Sequence, residues 1–403
     1  MMERTAERLS LPGRLLVISR WFSPRPGGSS VTLSNLLGWF DPADYLVVTT
    51  RPVPDEARSA PLAGAQIQYT SSEWRFHTRG HQLWNTAQIP VAAKRIFTLV
   101  KQSQCKAICA VFPDIQYLTT AYWVHKMTGL PLSVYLHDFI VDAHYGGYLG
   151  TLARWIQPRI FQSAYPLWTM SEAMSEYLQR TYRVRSEPLV HAYNESIPEE
   201  PPAHTFSSEG LRLFFSGAVY IANSVSLARI TRAISRMPNV RLTLSGGNNP
   251  QALQQQGIAG PHVHSGFIVN RAELIQFMQT QDIFVSCLSW PEESWLGPDE
   301  LATIFSTKLP EYLAQGKPIL IHCPDHYFVA RFFKKHDCGW VVSTPSEEAI
   351  QRTLQEIQEN TDTRQRRCRN ALKAARLFEG NRIARQFQAK MSSVINGDSA
   401  QKK

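Results

Sequence analysis

The sequence is short of several things. No stretch of its 403 residues approaches the roughly 18–20 consecutive apolar residues of a membrane span, so no spanning helix is expected. The opening MMERTAERLSLPGRLLVISRW has a charged lead but only a short apolar run of strand length, so it does not read as a secretory signal. Six cysteines are too few for a disulfide scaffold, and most lie in apolar runs, as buried thiols do in a reducing compartment. Cys105 and Cys109 are four apart with no second Cys or His pair nearby, so no metal site is expected. No repeat of 20–50 residues is visible, which excludes a solenoid. Neither a Gly-x-Gly-x-x-Gly dinucleotide loop nor a Gly-Lys-Ser/Thr phosphate loop occurs.

What is present is a 43% apolar chain, long enough for two or three cored domains. Short apolar runs alternate with amphipathic segments. Runs at Arg14–Ser19, Tyr45–Thr50, Ala107–Phe112, Leu132–Leu136 and Leu167–Met170 have strand length. Their unalternated character fits parallel strands covered on both faces. Helical stretches lie between them, at Val31–Trp39, Val91–Lys101, Tyr117–Lys126, Leu152–Phe161 and Ser171–Tyr182. A proline-rich linker within Pro188–Phe206 follows, and the alternation restarts, with strands at Arg212–Ser216, Val240–Leu244, Val263–Phe267, Asp282–Leu288, Pro318–Ile321 and Gly339–Ser343. The pattern predicts an α/β protein of two tandem Rossmann-like, doubly wound domains facing a cleft. We place them at residues 1–204 and 205–362, followed by a basic C-terminal helix and tail at 363–403 that crosses back to the first domain.

Ligands of open α/β sheets sit beyond the carboxyl ends of the strands. After the first strand, Gly27-Gly28 precedes a helix that Ser29 or Ser30 could cap; the pair suits either a phosphate contact or a plain tight turn. The run SVYLHDF puts His137 and Asp138 at a strand end. There His137 would bond a substrate hydroxyl or move a proton, or else be a structural group with Asp138 a helix cap; His144 is close in sequence. In the second half, Ser216-Gly217 ends a strand.

The most informative segment is STKLPEYLAQGKPIL, residues 306–320. Ser306 or Thr307 would cap a short helix with Lys308 in its first turn, where a cation opposes the helix dipole unless an anion binds there. Glu311 lies one turn on. Lysine for phosphate and carboxylate for a ribose diol fit a nucleotide; a surface Lys–Glu pair is the plainer alternative.

That segment resembles the SKLxEYLAxGKPVL stretch of GT-B nucleotide-sugar glycosyltransferases of the large family-four-like group. Other motifs follow in the family's order across about residues 14–360: Pro26-Gly27-Gly28, LHDF, Trp168-Thr169-Met170-Ser171-Glu172-Ala173-Met174, Phe215-Ser216-Gly217, and His264-Ser265-Gly266-Phe267 with Glu273 and Asp282. The resemblance implies metal-independent, retaining transfer of a sugar from a nucleotide donor to a saccharide or lipid-linked hydroxyl acceptor, in surface polysaccharide or glycoconjugate assembly, with no cofactor besides the donor. By position, Lys308 would meet the donor diphosphate and Glu311 the ribose. Ser216, Gly217, Ser306 and Thr307 would line the diphosphate, and Phe267 and Ile268 would flank the base. Gly27, Gly28 and His137 would border the sugar and acceptor, so His137, Asp138 and Lys308 are the catalytic candidates.

Two departures stand out. The family's basic clamp after the glycine is missing from Gly217-Ala218-Val219-Tyr220-Ile221-Ala222-Asn223, and Thr303 stands where a first glutamate would precede Glu311. A sugar-nucleotide epimerase of the same fold, or a degenerate binding subunit, are the alternatives.

The acidic loop from Glu292 to Glu300 with Trp295 would be solvated or gate the cleft, and Trp74-Arg75-Phe76-His77 reads as a loop that could stack on a sugar or touch a membrane surface. The net charge is +9, and Arg364 to Lys390 holds nine basic residues against one acid, nearly the whole excess. Ile383, Phe387 and Met391 give that stretch a one-sided helical pattern, whose basic face would lie in water or meet an anionic membrane surface. The expected location is cytoplasmic, peripheral on the inner face of the membrane. No nucleic-acid readout motif accompanies the charge, so no nucleic-acid partner is expected.

Overall fold

The computed structural model describes residues 8–24, 27–50, 62–70, 84, 86–112, 114–138, 147–203, 206, 210–268 and 270–398. Two compact units emerge, Met1–Asn194 with Glu379–Lys403, and Glu195–Phe378. Sequence reading drew the division at 204 instead.

The first unit holds strands β1 (Leu15–Ser19), β2 (Tyr45–Thr50), β3 (Gln66–Thr70), β4 (Ala107–Phe112), β5 (Leu132–Leu136), β6 (Ala164–Thr169) and β7 (Glu187–Pro188). They form one parallel sheet in the order β3-β2-β1-β4-β5-β6-β7. Helices α1 (Gly28–Leu37), α2 (Ile89–Ser103), α3 (Ile115–Thr128), α4 (Gly147–Ser163) and α5 (Glu172–Tyr182) connect them. Leu16, Ile18, Ile108, Ala110 and Phe112 turn one face of the sheet to α2–α5, and Leu15, Val17, Cys109 and Val111 turn the other toward α1. Both faces are covered, which is why these strands read as unbroken apolar runs. β3 escaped the sequence reading because it is an edge strand, alternately exposed, with a polar pattern.

The second unit repeats the order of the first six strands. Its strands β8 (Leu211–Ser216), β9 (Val240–Ser245), β10 (Val263–Gly266), β11 (Ile283–Cys287), β12 (Ile319–His322) and β13 (Trp340–Val342) pair as β10-β9-β8-β11-β12-β13. Its helices are α6 (Ser224–Ser235), α7 (Pro250–Gln255), α8 (Arg271–Thr280), α9 (Pro298–Thr303), α10 (Leu309–Ala314), α11 (Phe328–Lys335), α12 (Glu347–Glu359) and α13 (Thr361–Ala375). In each unit the order reverses beside the first strand, at β1/β4 and β8/β11, and such switch points are where ligands bind.

The chain then returns to the first unit through α14 (Gly380–Asn396). Ile383, Phe387, Met391 and Val394 are buried there, and the Phe387 ring stacks on Trp168 at 4.9 Å. The basic stretch Arg364–Lys390 is therefore two helices in two units, not one. Much of its charge is engaged internally. Arg364 is buried and donates to the carbonyls of Ile357 and Gln358. Arg366 and Arg367 pair with Asp337, Arg369 with Glu200 and Lys390 with Glu187. The six cysteines are all buried free thiols.

A polar cluster is buried behind the end of β12. Arg229 of α6 pairs with Glu293, lies over the Trp290 ring at 5.0 Å, and approaches Nε2 of His322 at 3.2 Å. Arginine has only donors, so Nε2 accepts and Nδ1–H donates to the Val342 carbonyl at 2.9 Å. Glu293 also accepts from the Trp290 N–H. The Glu292–Glu300 segment is thus anchored at Glu293 rather than solvated throughout, while Trp295 is exposed.

Burial pushes the His322 pKa down to about 4; the Val342 bond opposes that shift and the Arg229 charge adds to it. The unfolded chain takes up this proton near pH 6.5, so from there to about pH 4 only the unfolded state binds it. Stability should fall as pH falls across that window, by about 1.4 kcal/mol per pH unit from this group. His322→Asn should flatten the slope in urea titrations run through that range. An unchanged slope in the variant would remove His322 as the cause.

Candidate functional site

The candidate residues of the second unit converge at the carboxyl ends of β8, β9 and β10. The chain leaves β8 at Ser216 and turns at Gly217, whose φ of 118° favours glycine. Gly217 N–H donates to the Ser245 carbonyl at 2.9 Å, and Gly246 N–H to the Gly266 carbonyl at 3.2 Å. A Cβ on Gly246 would lie 2.0 Å from the Gly217 carbonyl oxygen, so these two backbones pass in direct contact. Gly246→Ala is expected to lower the denaturation midpoint by the equivalent of about 1–3 kcal/mol, as overpacking does. Gly266→Ala, with open space around its Cβ, should sit within error of the wild type; equal effects from both would contradict the contact argument.

Lys308 and Gly217 come together across the sequence. A Cβ on Gly217 would stand 3.8 Å from Lys308 Cγ and 3.9 Å from Cε, so the lysine stem runs past the glycine. Lys308 occupies the N-cap position of α10, not its first turn, and no side chain caps that helix. Ser306 and Thr307 are not the cap; Ser306 Oγ accepts the Lys308 N–H at 3.3 Å, and Thr307 is half-buried.

Glu311 is 7% exposed, and its partner is Arg271 rather than Lys308. Arg271 Nη1 donates to Glu311 Oε1 at 2.8 Å, and Arg271 also reaches Glu195 at 3.4 Å. The second oxygen of Glu311, Oε2, is buried without a partner among the described residues. An ionised carboxylate left so is costly unless a ligand donates to it. Arg271 escaped sequence reading. Its only signal was its place at the start of a helix just after the Phe267-Ile268 strand end, where an arginine opposes the dipole.

Phe267 is 46% exposed and lies against Gly247, 3.5 Å from where a Cβ would sit. An exposed ring over bare backbone offers a stacking face. The Ile268 N–H points at Ser245 Oγ, 3.4 Å away.

The backbone donors expected for a phosphate are engaged within the protein. Ser216 N–H donates to the buried Tyr312 hydroxyl at 2.6 Å, and Gly217 N–H to Ser245. In the loop where a basic clamp is missing, Val219 N–H donates to Asn248 and Tyr220 N–H to Asn223. Ser216 and Gly217 therefore contribute close approach, not free donors, and Lys308 is the cation beside them. Lys317 is a different case. It is buried, donates to the carbonyls of Gln279 and Gln281, and its pKa is lowered to about 8 chiefly by burial, so it holds a turn.

In the first unit, Gly27 has a φ of 133° and precedes α1, which starts at Gly28 with no side-chain cap from Ser29 or Ser30. Thr32 Oγ1 donates to the Gly28 carbonyl at 2.8 Å and lies 2.9 Å from Nδ1 of the buried His191. His137, at the end of β5, meets the Tyr135 ring edge-on at 4.4 Å, and its Nε2 is buried without a partner among the described residues. Burial, then repulsion from His191, pushes the His137 pKa down to about 3. A neutral imidazole of that basicity suits hydrogen bonding to a hydroxyl better than proton abstraction. Asp138 is exposed. Arg20 and Asp114 pair at 3.2 Å across the β1/β4 switch point, and Asp114 caps α3. His144 and Trp74–His77 lie outside the described residues.

Residues 200–374 match the glycosyl transferases group 1 family. The second unit is a group 1 glycosyltransferase domain. The whole chain has the GT-B fold of two Rossmann-like units, and the enzyme is a glycosyltransferase. Sucrose-phosphate synthase from Thermosynechococcus elongatus superposes on 96% of this chain and 100% of its own, with a TM-score of 0.73 at 13% identity. Anabaena HepE in complex with UDP and glucose covers 94% of this glycosyltransferase and 100% of its own chain, with a TM-score of 0.67 at 15% identity. The lipopolysaccharide outer core galactosyltransferase WaaB in its apo form gives 96%, 99% and 0.61 at 12% identity. No curated protein sequence matches the chain. In this glycosyltransferase the unpartnered Glu311 oxygen, Lys308 and the Phe267 face all belong to the family-matched unit.

Proposed function

We propose that the enzyme moves a hexosyl group from a nucleoside diphosphate sugar to a hydroxyl of a saccharide or lipid-linked acceptor, with retention of configuration and without a metal or cofactor. The observation that carries this reading is Glu311, a buried carboxylate with one oxygen held by Arg271 and the other unpartnered among the described residues, near the Lys308 that runs along Gly217. A ribose diol supplies the donors that Oε2 lacks. Lys308 meets the diphosphate and stabilises the charge that grows on it as the glycosidic bond breaks. Phe267 and Ile268 flank the base. Gly27, Gly28 and His137 serve the sugar and acceptor, with neutral His137 orienting a hydroxyl. The leaving phosphate itself takes the acceptor's proton, since His137 is too weak a base.

HepE was solved with UDP and glucose, and WaaB is a lipopolysaccharide outer core galactosyltransferase. The first supports a nucleotide-sugar donor and the second a role in surface polysaccharide or glycoconjugate assembly; we place that work at the inner face of the membrane. Among the described residues, no helix is long and apolar enough to cross a membrane.

Calorimetry against UDP, GDP, dTDP and their sugars tests the donor. Binding of one nucleotide class is expected, with loss of affinity in Glu311→Gln. No binding by any of them would overturn the reading and favour a binding subunit. Conversion of a nucleotide sugar with no acceptor present would favour an epimerase instead.

A further inference from the structure

Helices α2, α3 and α4 lie side by side over one face of the first unit's sheet. Their sequences contain six Lys or Arg and no Asp or Glu. All six cations, Lys94, Arg95, Lys101, Lys126, Arg154 and Arg159, are on the exposed side. Large apolar side chains stand among them: Trp123 and Met127 on α3 are each 43% exposed, Trp155 on α4 is 45%, and Val91 on α2 is 45%. The spacing is regular. Trp123, Lys126 and Met127 share a face of α3 at i, i+3 and i+4, and Trp155 and Arg159 share one of α4. The Arg159 guanidinium lies over the Trp155 ring at 4.3 Å, and Lys101 over Phe97 at 4.4 Å. The next helix of the layer, α5, breaks the pattern with Glu172 and Glu176.

Exposed indole and methionine side chains are costly in water, and cations clustered on helices that themselves carry no Asp or Glu repel one another. An anionic bilayer relieves both. Indoles settle at the headgroup level, while the cations meet lipid phosphates. The geometry points to α2–α4 as the surface that docks on an anionic lipid bilayer. The Arg364–Lys390 stretch, divided between two units and largely paired, is not that surface. This deepens the peripheral location proposed above, and does not depend on donor chemistry.

Flotation of the full chain tests it, with vesicles of phosphatidylcholine alone or mixed with phosphatidylglycerol. The wild type should float with the mixed vesicles in about 0.1 M salt and not with the neutral ones. Near-surface cations contribute about 1 kcal/mol each, so Lys126→Gln with Arg154→Gln should weaken binding about thirtyfold. Trp123→Ser with Trp155→Ser should weaken it at least tenfold. Arg369→Gln with Arg382→Gln should leave it unchanged. Nucleotide binding should be intact in all three, which separates a docking failure from a failed donor assignment. Equal flotation with neutral vesicles, no flotation at all, or loss only in the Arg369/Arg382 variant would overturn the proposal. So would a wild-type dimer that the Trp variant converts to monomer without vesicle binding, or DNA binding as tight as vesicle binding at the same salt.

Discussion

Lys308→Ala is expected to lower kcat about 100- to 1000-fold with saturating donor, the size seen when one pre-positioned stabiliser of developing charge is lost. Here the loss should lie at the upper end. The N–H groups of Ser216, Gly217, Val219 and Tyr220 are already bonded within the protein. Few backbone donors are thus left to compensate on that loop. The lysine stem lies along Gly217 as far as Cε, which sets its ammonium beside that loop. Charge on the diphosphate grows as the bond to the sugar breaks, so turnover should suffer more than ground-state affinity. Lys308→Arg should recover part of the rate, because the charge returns on a different geometry. Single-turnover and steady-state rates with matched donor affinities check this. A Lys308→Ala enzyme with wild-type kcat and donor affinity would remove Lys308 from the mechanism.

The second large effect is on stability. Arg229→Ala should destabilise the second unit by about 3 kcal/mol, the low end of what breaking a buried pair costs. Arg229 is 7% exposed and serves Glu293, His322 and the Trp290 ring together. Its loss removes the arginine donors from Glu293 Oε1 and the His322 Nε2 lone pair, leaving Glu293 only the Trp290 N–H. Arg229→Met with Glu293→Met should recover most of the loss, since apolar replacement of a whole buried pair is often neutral. Urea midpoints of the three proteins decide it. A single variant as stable as wild type, or a double variant no better than the single, would show that the pair is not what holds this cluster.

Much of this protein was legible before any coordinates. Ala107–Phe112 and Tyr45–Thr50 are strands over the predicted residues, because strands buried on both faces must be apolar throughout. β3 was not legible, because an edge strand is half-solvated and loses that signal. The Lys308–Pro318 segment pointed to a candidate site region, since its residue types and spacing are local. Its pairing was not local. Sequence set Glu311 one turn from Lys308 and offered a Lys–Glu pair as the plainer alternative to ligand binding, whereas the carboxylate turns to Arg271, forty positions away on another helix.

The sequence by itself determined two α/β units and nominated Gly217, Lys308 and Glu311 as site candidates. These rest on periodicity and neighbour chemistry, which a linear chain displays. Tertiary structure alone decided which donors are already used, and that Arg271 holds Glu311. It also decided that Arg229 anchors Glu293, and that Arg364–Lys390 divides between two units. Each depends on which distant groups burial brings into one low-dielectric space, where a polar group must find a partner or be left costly.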